Sequence, residues 1–231
     1  MKGHRRILIK RNKSQYHKLT PRGTGPKTVR FHSEDIQVEV YGKDLVQFGR
    51  DADFSDALLF VEPILPLEEH PENVEKSLRI SSAHFVITQE EDEFVIKDTG
   101  SVNGTMLNGQ SLTRPLSLKA GDQIDVANVL KLRVEAHQPA LLIARMDNEP
   151  SKFYLLLPTN SWVPFNLGSP RSSANATLVF CAEGDALFLG NQSGALSIEQ
   201  HTLEEKEASC LSGKAGVIKV NGVRWSWTAL D

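Results

Sequence analysis

The chain has 231 residues, of which 40% are hydrophobic and 24% charged, with a formal net charge of −3 at pH 7. This length favours one or two domains, and the composition is sufficient for packed cores and argues against a wholly disordered chain. No apolar run approaches the eighteen residues of a membrane-spanning helix, and no secretory signal follows the basic start of the chain. We therefore predict a soluble, cytoplasmic protein.

The beginning of the chain is strongly basic, because residues 1–33 contain ten Lys or Arg and neither Asp nor Glu. We treat residues 1–28 as a basic N-terminal arm with one possible strand. The arm either binds nucleic acid, an acidic partner or an anionic surface, or is a solvated tail; sparse aromatic residues and the lack of a nucleic-acid motif favour the tail. Thr20, which precedes a proline, is a candidate phosphorylation site that would then dock on a neighbouring copy.

Short alternating apolar runs predict an all-β chain, and no helical periodicity longer than two turns is found. The strands predicted in the first half cover residues 29–31, 36–40, 45–48, 84–88, 94–96, 105–107, 116–118, 123–126 and 130–134. Residues 41–44 are taken as the turn between hairpin partners. In the segment 51–78, an apolar patch at 58–61 predicts a strand, and the Pro- and Glu-rich remainder predicts a solvated insertion.

Four short motifs stand in order within this half. They are Phe48-Gly49-Arg50, Ser81-Ser82-Ala83-His84, Ser101-Val102-Asn103-Gly104-Thr105 and Asn108-Gly109. Together they resemble the signature of a forkhead-associated (FHA) domain, a module that reads phosphothreonine. The resemblance implies a β-sandwich of about eleven short strands over residues 29–138, with the binding loops at one end.

The residue types in these motifs suit an anion of this kind, since phosphothreonine carries about −1.5 to −2 charge and three acceptor oxygens. Arg50 supplies a planar guanidinium at the end of a strand, and Ser81 and Ser82 supply hydroxyls and loop amides. Asn103 can hold the backbone of an extended peptide. Each residue also has an ordinary alternative: a solvated arginine, a serine that begins a turn, or an Asn-Gly hairpin signal.

Other residues are expected to support the binding loops. The resemblance makes His84 a buried hydrogen-bonding brace, and it gives structural roles to Gly49, Gly104, Thr105, Asn108 and Gly109. Arg79 lies two residues before Ser81, and on a continuing strand it would point to the same side. We therefore predict that Arg79 reads an acidic or polar side chain beyond the phosphothreonine.

The motif set departs from the family pattern at two positions. Val102 stands where many members have Thr or Ser, and Ser82 stands where Arg or Asn is frequent. Each departure removes a polar contact and predicts weaker binding. The glutamates of the insertion, which include Glu68, Glu69, Glu72 and Glu75, either disfavour acidic peptides or are simply solvated.

The second half of the chain repeats the strand pattern of the first half at an offset of 93 residues. We predict a second, smaller FHA-like β-sandwich over residues 139–231, although a coincidence of strand spacing remains an alternative. In this alignment Thr177 falls on His84, Leu196 falls on Asn103, and no arginine follows the glycine of residues 165–169. Arg171 is the nearest substitute, so this copy is expected to bind phosphate poorly and to serve docking, dimerisation or scaffolding.

The aromatic and thiol side chains of the second half have structural interpretations. Trp162, Trp225 and Trp227 are either core residues or interface anchors. Cys181 and Cys210 lack the spacing of a redox or metal motif, which predicts free thiols.

The function predicted from these patterns is a phosphothreonine-dependent protein–protein interaction module, an adaptor or scaffold in Ser/Thr kinase signalling or in the assembly of a larger complex. The alternative is a phosphate-independent structural component of a multiprotein assembly, for example in secretion. No catalytic constellation, metal site, cofactor or small-molecule substrate is expected. The expected partners are a phosphothreonine-containing protein or peptide and, through the second half, a further copy of the chain.

Overall fold

The computed structural model describes residues 25–62, 70–136, 139–147, 151–159, 161–171, 178–183, 186–199, 201–204, 208–211 and 213–230. The predictions for residues 1–24, including Thr20, and those for Glu68, Glu69 and Thr177 lie outside these residues. Within them, the one helix has eight residues, too few to cross a membrane.

Strands dominate the described residues, as predicted. In the first half of the chain they are β1 (Thr28–His32), β2 (Ile36–Tyr41), β3 (Leu45–Gly49), β4 (Ala57–Leu58), β5 (Phe85–Glu90), β6 (Glu93–Asp98), β7 (Thr105–Leu107), β8 (Gln110–Ser111), β9 (Leu116–Ser117), β10 (Gln123–Val126) and β11 (Leu130–Ala136). In the second half they are β12 (Leu141–Arg145), β13 (Ser151–Leu156), β14 (Val163–Phe165), β15 (Leu178–Glu183), β16 (Ala186–Asn191), β17 (Leu196–Ile198), β18 (His201–Leu203), β19 (Ala208–Cys210), β20 (Ala215–Val220) and β21 (Val223–Ala229).

The helix α1 (Pro71–Leu78) lies in the segment predicted to be a solvated insertion; most of its residues are exposed, as predicted, but they form a helix rather than a loop. Pro71 is suited to the first helical turn, and Glu72 and Lys76 complement the helix dipole at its two ends. Ser77 is the buried residue of the helix, and its hydroxyl accepts the Val61 amide at 2.8 Å. The helix is thereby attached to the chain that follows β4.

The strands form three sheets. A twelve-stranded sheet, here called the long sheet, has the order β18-β17-β20-β21-β1-β2-β13-β12-β11-β10-β7-β8. A five-stranded sheet has the order β4-β3-β5-β6-β9, and a four-stranded sheet has the order β14-β15-β16-β19. Strands β2 and β3 are therefore in different sheets, and the hairpin predicted around residues 41–44 is wrong.

The two smaller sheets pack on opposite faces of the long sheet. In β13, Phe153 and Leu155 belong to the core that includes Phe180 of the four-stranded sheet, whereas Tyr154 and Leu156 belong to the core that includes the five-stranded sheet. Successive residues of a strand point to opposite faces. Strands β12 and β13 are consequently buried on both sides, which explains their uninterrupted apolar sequences.

This arrangement divides the molecule into two sandwiches that share the long sheet. The first sandwich comprises the five-stranded sheet with β13-β12-β11-β10-β7-β8, and the second comprises the four-stranded sheet with β2-β1-β21-β20-β17-β18. The two halves of the long sheet have corresponding strand orders, and they meet where β2 pairs with β13 in parallel. Strands β5, β6 and β11 begin 93 residues before β15, β16 and β21, in agreement with the offset seen in the sequence.

Each of two hairpins comes before one sandwich in the chain but completes the other. The β1–β2 hairpin precedes the first sandwich and belongs to the second, whereas the β12–β13 hairpin precedes the second sandwich and belongs to the first. The β1–β2 hairpin pairs through β1 with β21, and the β12–β13 hairpin pairs through β12 with β11. Strand pairings thus cross the boundary predicted at residue 139 in both directions. Residues 45–156 contain every strand of the first sandwich, so this range, rather than 29–138, corresponds to that structural unit.

Buried charges lie where the two sandwiches meet. Glu39 on β2 is 1% exposed and accepts hydrogen bonds from Arg30 and from the Tyr41 hydroxyl, and Lys152 on β13 lies 3.3 Å from the same carboxylate. Burial raises the pKa of Glu39, but the cations Lys152 and Arg30 more than offset this effect, so the pKa lies below its usual value. The carboxylate therefore stays ionised and links strands of both halves.

The aromatic and thiol residues of the second half also have defined positions. Trp225 and Trp227 are buried in the core of the second sandwich, which confirms that they are core residues. Cys181 and Cys210 are free thiols, and burial raises the pKa of Cys181 to about 12. Neither thiol is thus activated by its surroundings.

Candidate functional site

The candidate site begins where β3 ends, because Arg50 directly follows Gly49. A Cβ atom at position 49 would lie 2.1 Å from the Ser82 carbonyl oxygen and 2.4 Å from the Ser55 hydroxyl, so only glycine allows this approach. The amide of Arg50 donates to the Ser81 carbonyl at 3.0 Å. The loop after β3 is therefore held directly against residues 81–82.

The side chain of Arg50 is oriented by one hydrogen bond. Its Nε donates to the Ile80 carbonyl at 3.1 Å, which fixes the guanidinium plane. No other side-chain hydrogen bond of Arg50 is formed with the residues that the structure describes. Its terminal N–H groups can therefore donate to a ligand.

Ser81 and Ser82 lie between the loop of Arg50 and the loop of Asn103. The Ser81 hydroxyl oxygen accepts the Val102 amide at 3.0 Å, so the hydroxyl proton can still be donated. The Ser82 carbonyl accepts the Ser55 hydroxyl at 2.6 Å. Residues 81–82 thus join the loop after β3 to the loop between β6 and β7.

His84 connects the same loops from inside the sandwich, where it is fully buried. Its Nδ1 accepts the Ser81 amide at 3.0 Å, so the ring proton is on Nε2, which donates to the Gly104 carbonyl at 3.1 Å. Burial lowers the pKa of His84, outweighing the opposing effects of the Gly104 carbonyl and the Asp98 carboxylate. The imidazole is therefore neutral, with one tautomer fixed by its two partners.

Asp98, which the motif analysis did not single out, organises the loop between β6 and β7. Its carboxylate accepts the amides of Gly100 and Ser101 at 2.8 Å each and the hydroxyls of Ser101 and Thr105 at 2.6 Å each. Burial raises the pKa of Asp98, but these hydrogen bonds outweigh it, and the pKa lies below its usual value. The signal in the sequence is Asp98-Thr99-Gly100-Ser101, a pattern typical of an Asx turn.

Asn103 and Val102 occupy the tip of this loop. The side-chain amide of Asn103 donates to the Arg79 carbonyl at 2.7 Å, which leaves its Oδ1 as an acceptor. Val102 is 87% exposed. Gly104 has a φ of +76°, so the backbone reversal after Asn103 requires glycine.

Arg79 is placed differently from the prediction. It caps the C-terminus of α1 and does not continue a strand, so the reason given for its orientation is wrong. Its side chain is nevertheless exposed beside the loop of Asn103. A role in reading the peptide stays a prediction.

The turn Asn108-Gly109 lies at the other end of β7 from Gly104. Both residues have positive φ, +52° and +78°, as a two-residue type I′ hairpin turn requires. The Asn108 side chain also accepts the Gln123 amide at 2.9 Å. These contacts attach the turn between β7 and β8 to the start of β10.

Comparison with known proteins agrees with this geometry, since the sequence profile of the FHA domain matches residues 46–127. These residues form an FHA domain. A comparison with curated proteins found no significant match.

Several solved FHA structures are similar to part of the chain. The FHA domain of CT664 from Chlamydia trachomatis is 20% identical, over 43% of this chain and 86% of that one, with a TM-score of 0.29. FHA-1 of Rv1747 from Mycobacterium tuberculosis is 21% identical, over 45% and 88%, with a TM-score of 0.28. The yeast Dun1 FHA domain, in complex with a doubly phosphorylated peptide, is 20% identical, over 49% and 76%, with a TM-score of 0.29. With TM-scores this low, the assignment rests on the profile match and on the site itself.

The second sandwich has no equivalent of this site among its described residues. Strand β14 ends at Phe165 and is followed by Asn166, where the first sandwich has Arg50. Arg171, the nearest substitute, pairs with Glu135 at 3.1 Å and stacks over Phe153 at 5.1 Å. Leu196, aligned with Asn103, is buried. At the described positions that correspond to Arg50 and Asn103, the second sandwich therefore has different residues.

Proposed function

We propose that the FHA domain binds a phosphothreonine of a partner protein, with Arg50 and Ser81 contacting the phosphate. The observation that carries the proposal is the guanidinium of Arg50, which is oriented through Nε while its terminal N–H groups remain available. Ser81 supports the proposal as well, because its carbonyl accepts the Arg50 amide and its hydroxyl, which accepts the Val102 amide, can still donate a proton. A planar donor fork with nearby hydroxyl and amide donors suits a phosphate dianion.

A few contacts are expected to provide most of the binding free energy of the phosphopeptide. A hydrogen bond to a charged oxygen stabilises by about 1.5–3 kcal/mol, so Arg50 carries a large share of the binding free energy. A shallow site built from loops desolvates few groups, and we expect micromolar affinity, about −8 kcal/mol. Threonine should be preferred to serine if its methyl group packs against Val102 or Ser82, a contact that contributes roughly 1–3 kcal/mol.

The cellular role that we propose follows from how a phosphothreonine is made. A phosphothreonine is made by a protein kinase, so the protein acts as a non-catalytic, cytoplasmic adaptor in Ser/Thr kinase signalling or in the assembly of a larger complex. In this role Arg50, Ser81, Ser82, Val102, Asn103 and Arg79 contact the phosphopeptide. Gly49, His84, Gly104, Thr105, Asn108 and Gly109 hold the loops.

A second candidate function is favoured by Val102. A valine at this exposed position provides no hydroxyl for the ligand, and in the second sandwich Asn166, not an arginine, directly follows β14. Under this alternative, the chain is a scaffold component that no longer depends on phosphate. Residues 139–231, interpreted as a degenerate FHA-like copy, then provide a surface for docking or self-association.

The test is a fluorescence-anisotropy titration of the full chain with an oriented phosphothreonine peptide library. We expect micromolar binding that is lost with unphosphorylated peptides and reduced at least tenfold in Arg50→Ala, since tenfold corresponds to about 1.4 kcal/mol. Arg133→Ala is the matched control, because Arg133 is an exposed arginine of the long sheet. Binding that is indifferent to phosphate and to Arg50 would contradict the proposal and favour the scaffold.

A further inference from the structure

The three most exposed large apolar side chains among the described residues lie on two loops of the candidate site and on the helix end that precedes Arg79. Val102 is 87% exposed, Phe54 is 63% exposed and Leu78 is 61% exposed. Phe54 is in the loop between β3 and β4, Leu78 is the last residue of α1, and Val102 is in the loop between β6 and β7. Single exposed apolar residues are ordinary, but three on adjoining segments around the candidate site mark a contact surface.

The chain segments that carry these side chains adjoin residues 79–82. The loop of Phe54 is attached to one end of this segment, because the neighbouring Ser55 hydroxyl donates to the Ser82 carbonyl at 2.6 Å. Leu78 immediately precedes the other end. The amide of Val102 donates to the Ser81 hydroxyl oxygen, near the middle. The segments that carry the three side chains are therefore attached to, or continuous with, residues 79–82 of the candidate site.

The order of Phe54, Arg50 and Leu78 along residues 79–82 indicates which part of a bound peptide each side chain can contact. Arg50 is joined to the middle of the segment, through its amide to Ser81 and its Nε to Ile80. A phosphothreonine on Arg50 and Ser81 consequently has Phe54 towards one end of the segment and Leu78 towards the other. An extended chain advances about 3.3 Å per residue, so the two side chains are within reach of residues a few positions before and after the phosphothreonine.

We propose that the partner segment carries apolar side chains on both sides of its phosphothreonine, and that Phe54 and Leu78 bind them. This inference rests on the proposed phosphothreonine binding and adds the class of peptide that is selected. Val102 adds apolar surface next to the phosphate. Because burial of apolar area on both sides of the charged centre is favourable, the partner is distinguished from phosphopeptides with charged flanks.

The test compares two peptides that differ only in their flanks. One has leucine or phenylalanine and the other has alanine at the three positions on each side of the phosphothreonine. We expect the apolar peptide to bind wild-type full-length chain about tenfold more tightly than the alanine peptide. Phe54→Ser and Leu78→Ser should each weaken binding of the apolar peptide about three- to fivefold while leaving the alanine peptide within twofold; these fold-changes follow from about 1.4 kcal/mol per tenfold.

Leu45→Ser is the matched control, because Leu45 is 50% exposed and lies at the opposite end of β3 from Arg50. It should change neither affinity. Phosphate-dependent binding through Arg50 with equal affinity for the two peptides, or a preference for acidic or basic flanks, would overturn the inference and leave the proposed function intact. Binding of both peptides that needs neither phosphate nor Arg50 would overturn the proposed function and, with it, this inference.

Discussion

The two sandwiches have corresponding strand orders in the long sheet but different loops at the ends of their smaller sheets. In the first sandwich, β3 is followed by Arg50 and by a loop held against Ser82, and the sheet continues to β4. In the second sandwich, β14 is followed by Asn166 and lies at the edge of its four-stranded sheet. The strands therefore define a scaffold that both sandwiches share, and a few loop residues make only the first sandwich a candidate phosphate site.

The largest expected effect comes from cutting the chain between the sandwiches. A fragment of residues 29–138 lacks β12 and β13, and with them Leu141, Ile143, Tyr154 and Leu156 of the first core. Each such side chain stabilises by about 1.5–3 kcal/mol, so the loss is comparable with the whole stability of a domain, about 5–15 kcal/mol. We expect this fragment to be unfolded in circular dichroism and thermal denaturation.

The control for this cut is the fragment 43–159, which contains every strand of the first sandwich and should fold and bind phosphopeptide. A cooperative thermal transition for the fragment 29–138, equal to that of 43–159, would contradict the assignment of the β12–β13 hairpin to the first sandwich. It would mean that the β1–β2 hairpin can complete the first sandwich in place of β12–β13.

A smaller effect is expected at Gly49, which directly precedes the loop after β3, and it is compared with Gly168, which lies in the loop after β14. Gly49→Ala places a Cβ atom 2.1 Å from a backbone oxygen, whereas at Gly168 the nearest atom to an added Cβ is the Asn166 Oδ1 at 3.7 Å. We expect Gly49→Ala to lower the free energy of unfolding by about 1–3 kcal/mol, as overpacking does, and to weaken phosphopeptide binding. Chemical denaturation measures the first effect; equal stabilities of Gly49→Ala and Gly168→Ala would refute the close-approach explanation.

A gain of binding is expected at Val102. Val102→Thr supplies a hydroxyl at an exposed position beside Ser81, and a neutral hydrogen bond contributes about 0.5–1.5 kcal/mol. We expect affinity for a phosphothreonine peptide to rise about two- to tenfold with unchanged stability. Val223→Thr, at a 55% exposed position of the second sandwich, should leave affinity unchanged. A loss of affinity in Val102→Thr would contradict this prediction and show that the apolar contact of Val102 with the ligand contributes more than a hydroxyl at this position.

The smallest effect concerns pH. The pKa of His84 is lower in the folded chain than its ordinary value of 6.5, so the unfolded chain binds the proton more readily. Stability from the neutral ring is therefore fully present above about pH 6.5 and is lost as the pH falls through the folded pKa. Nitrogen NMR of the imidazole should show a neutral ring with the proton on Nε2 near neutral pH and a pKa below 6.5. A pKa at or above 6.5, or a proton on Nδ1 of the neutral ring, would contradict the assignment.

The sequence was sufficient to predict most strands, because alternation is a local signal, and the ordered motifs identified residues whose loops contact one another; their contact with a peptide stays a prediction. It was not sufficient to assign the hairpins, since β1 and β2 have the same alternating pattern whichever sandwich they complete. The available clue was the continuous apolar character of residues 141–144 and 153–157, typical of strands buried on both faces. The helix α1 was missed because it has only about two turns, and Asp98 was missed because its contacts are confined to one turn.

The most direct measurement is an amide NMR titration of the isotopically labelled full chain with a phosphothreonine peptide. We predict shift changes confined to residues 49–56, 78–84 and 99–104, with none near residues 163–171 of the second sandwich, and no changes with the unphosphorylated peptide. Changes centred on the loop after β14, or the same changes without phosphate, would contradict the assignment of phosphate binding to the loops of the first sandwich.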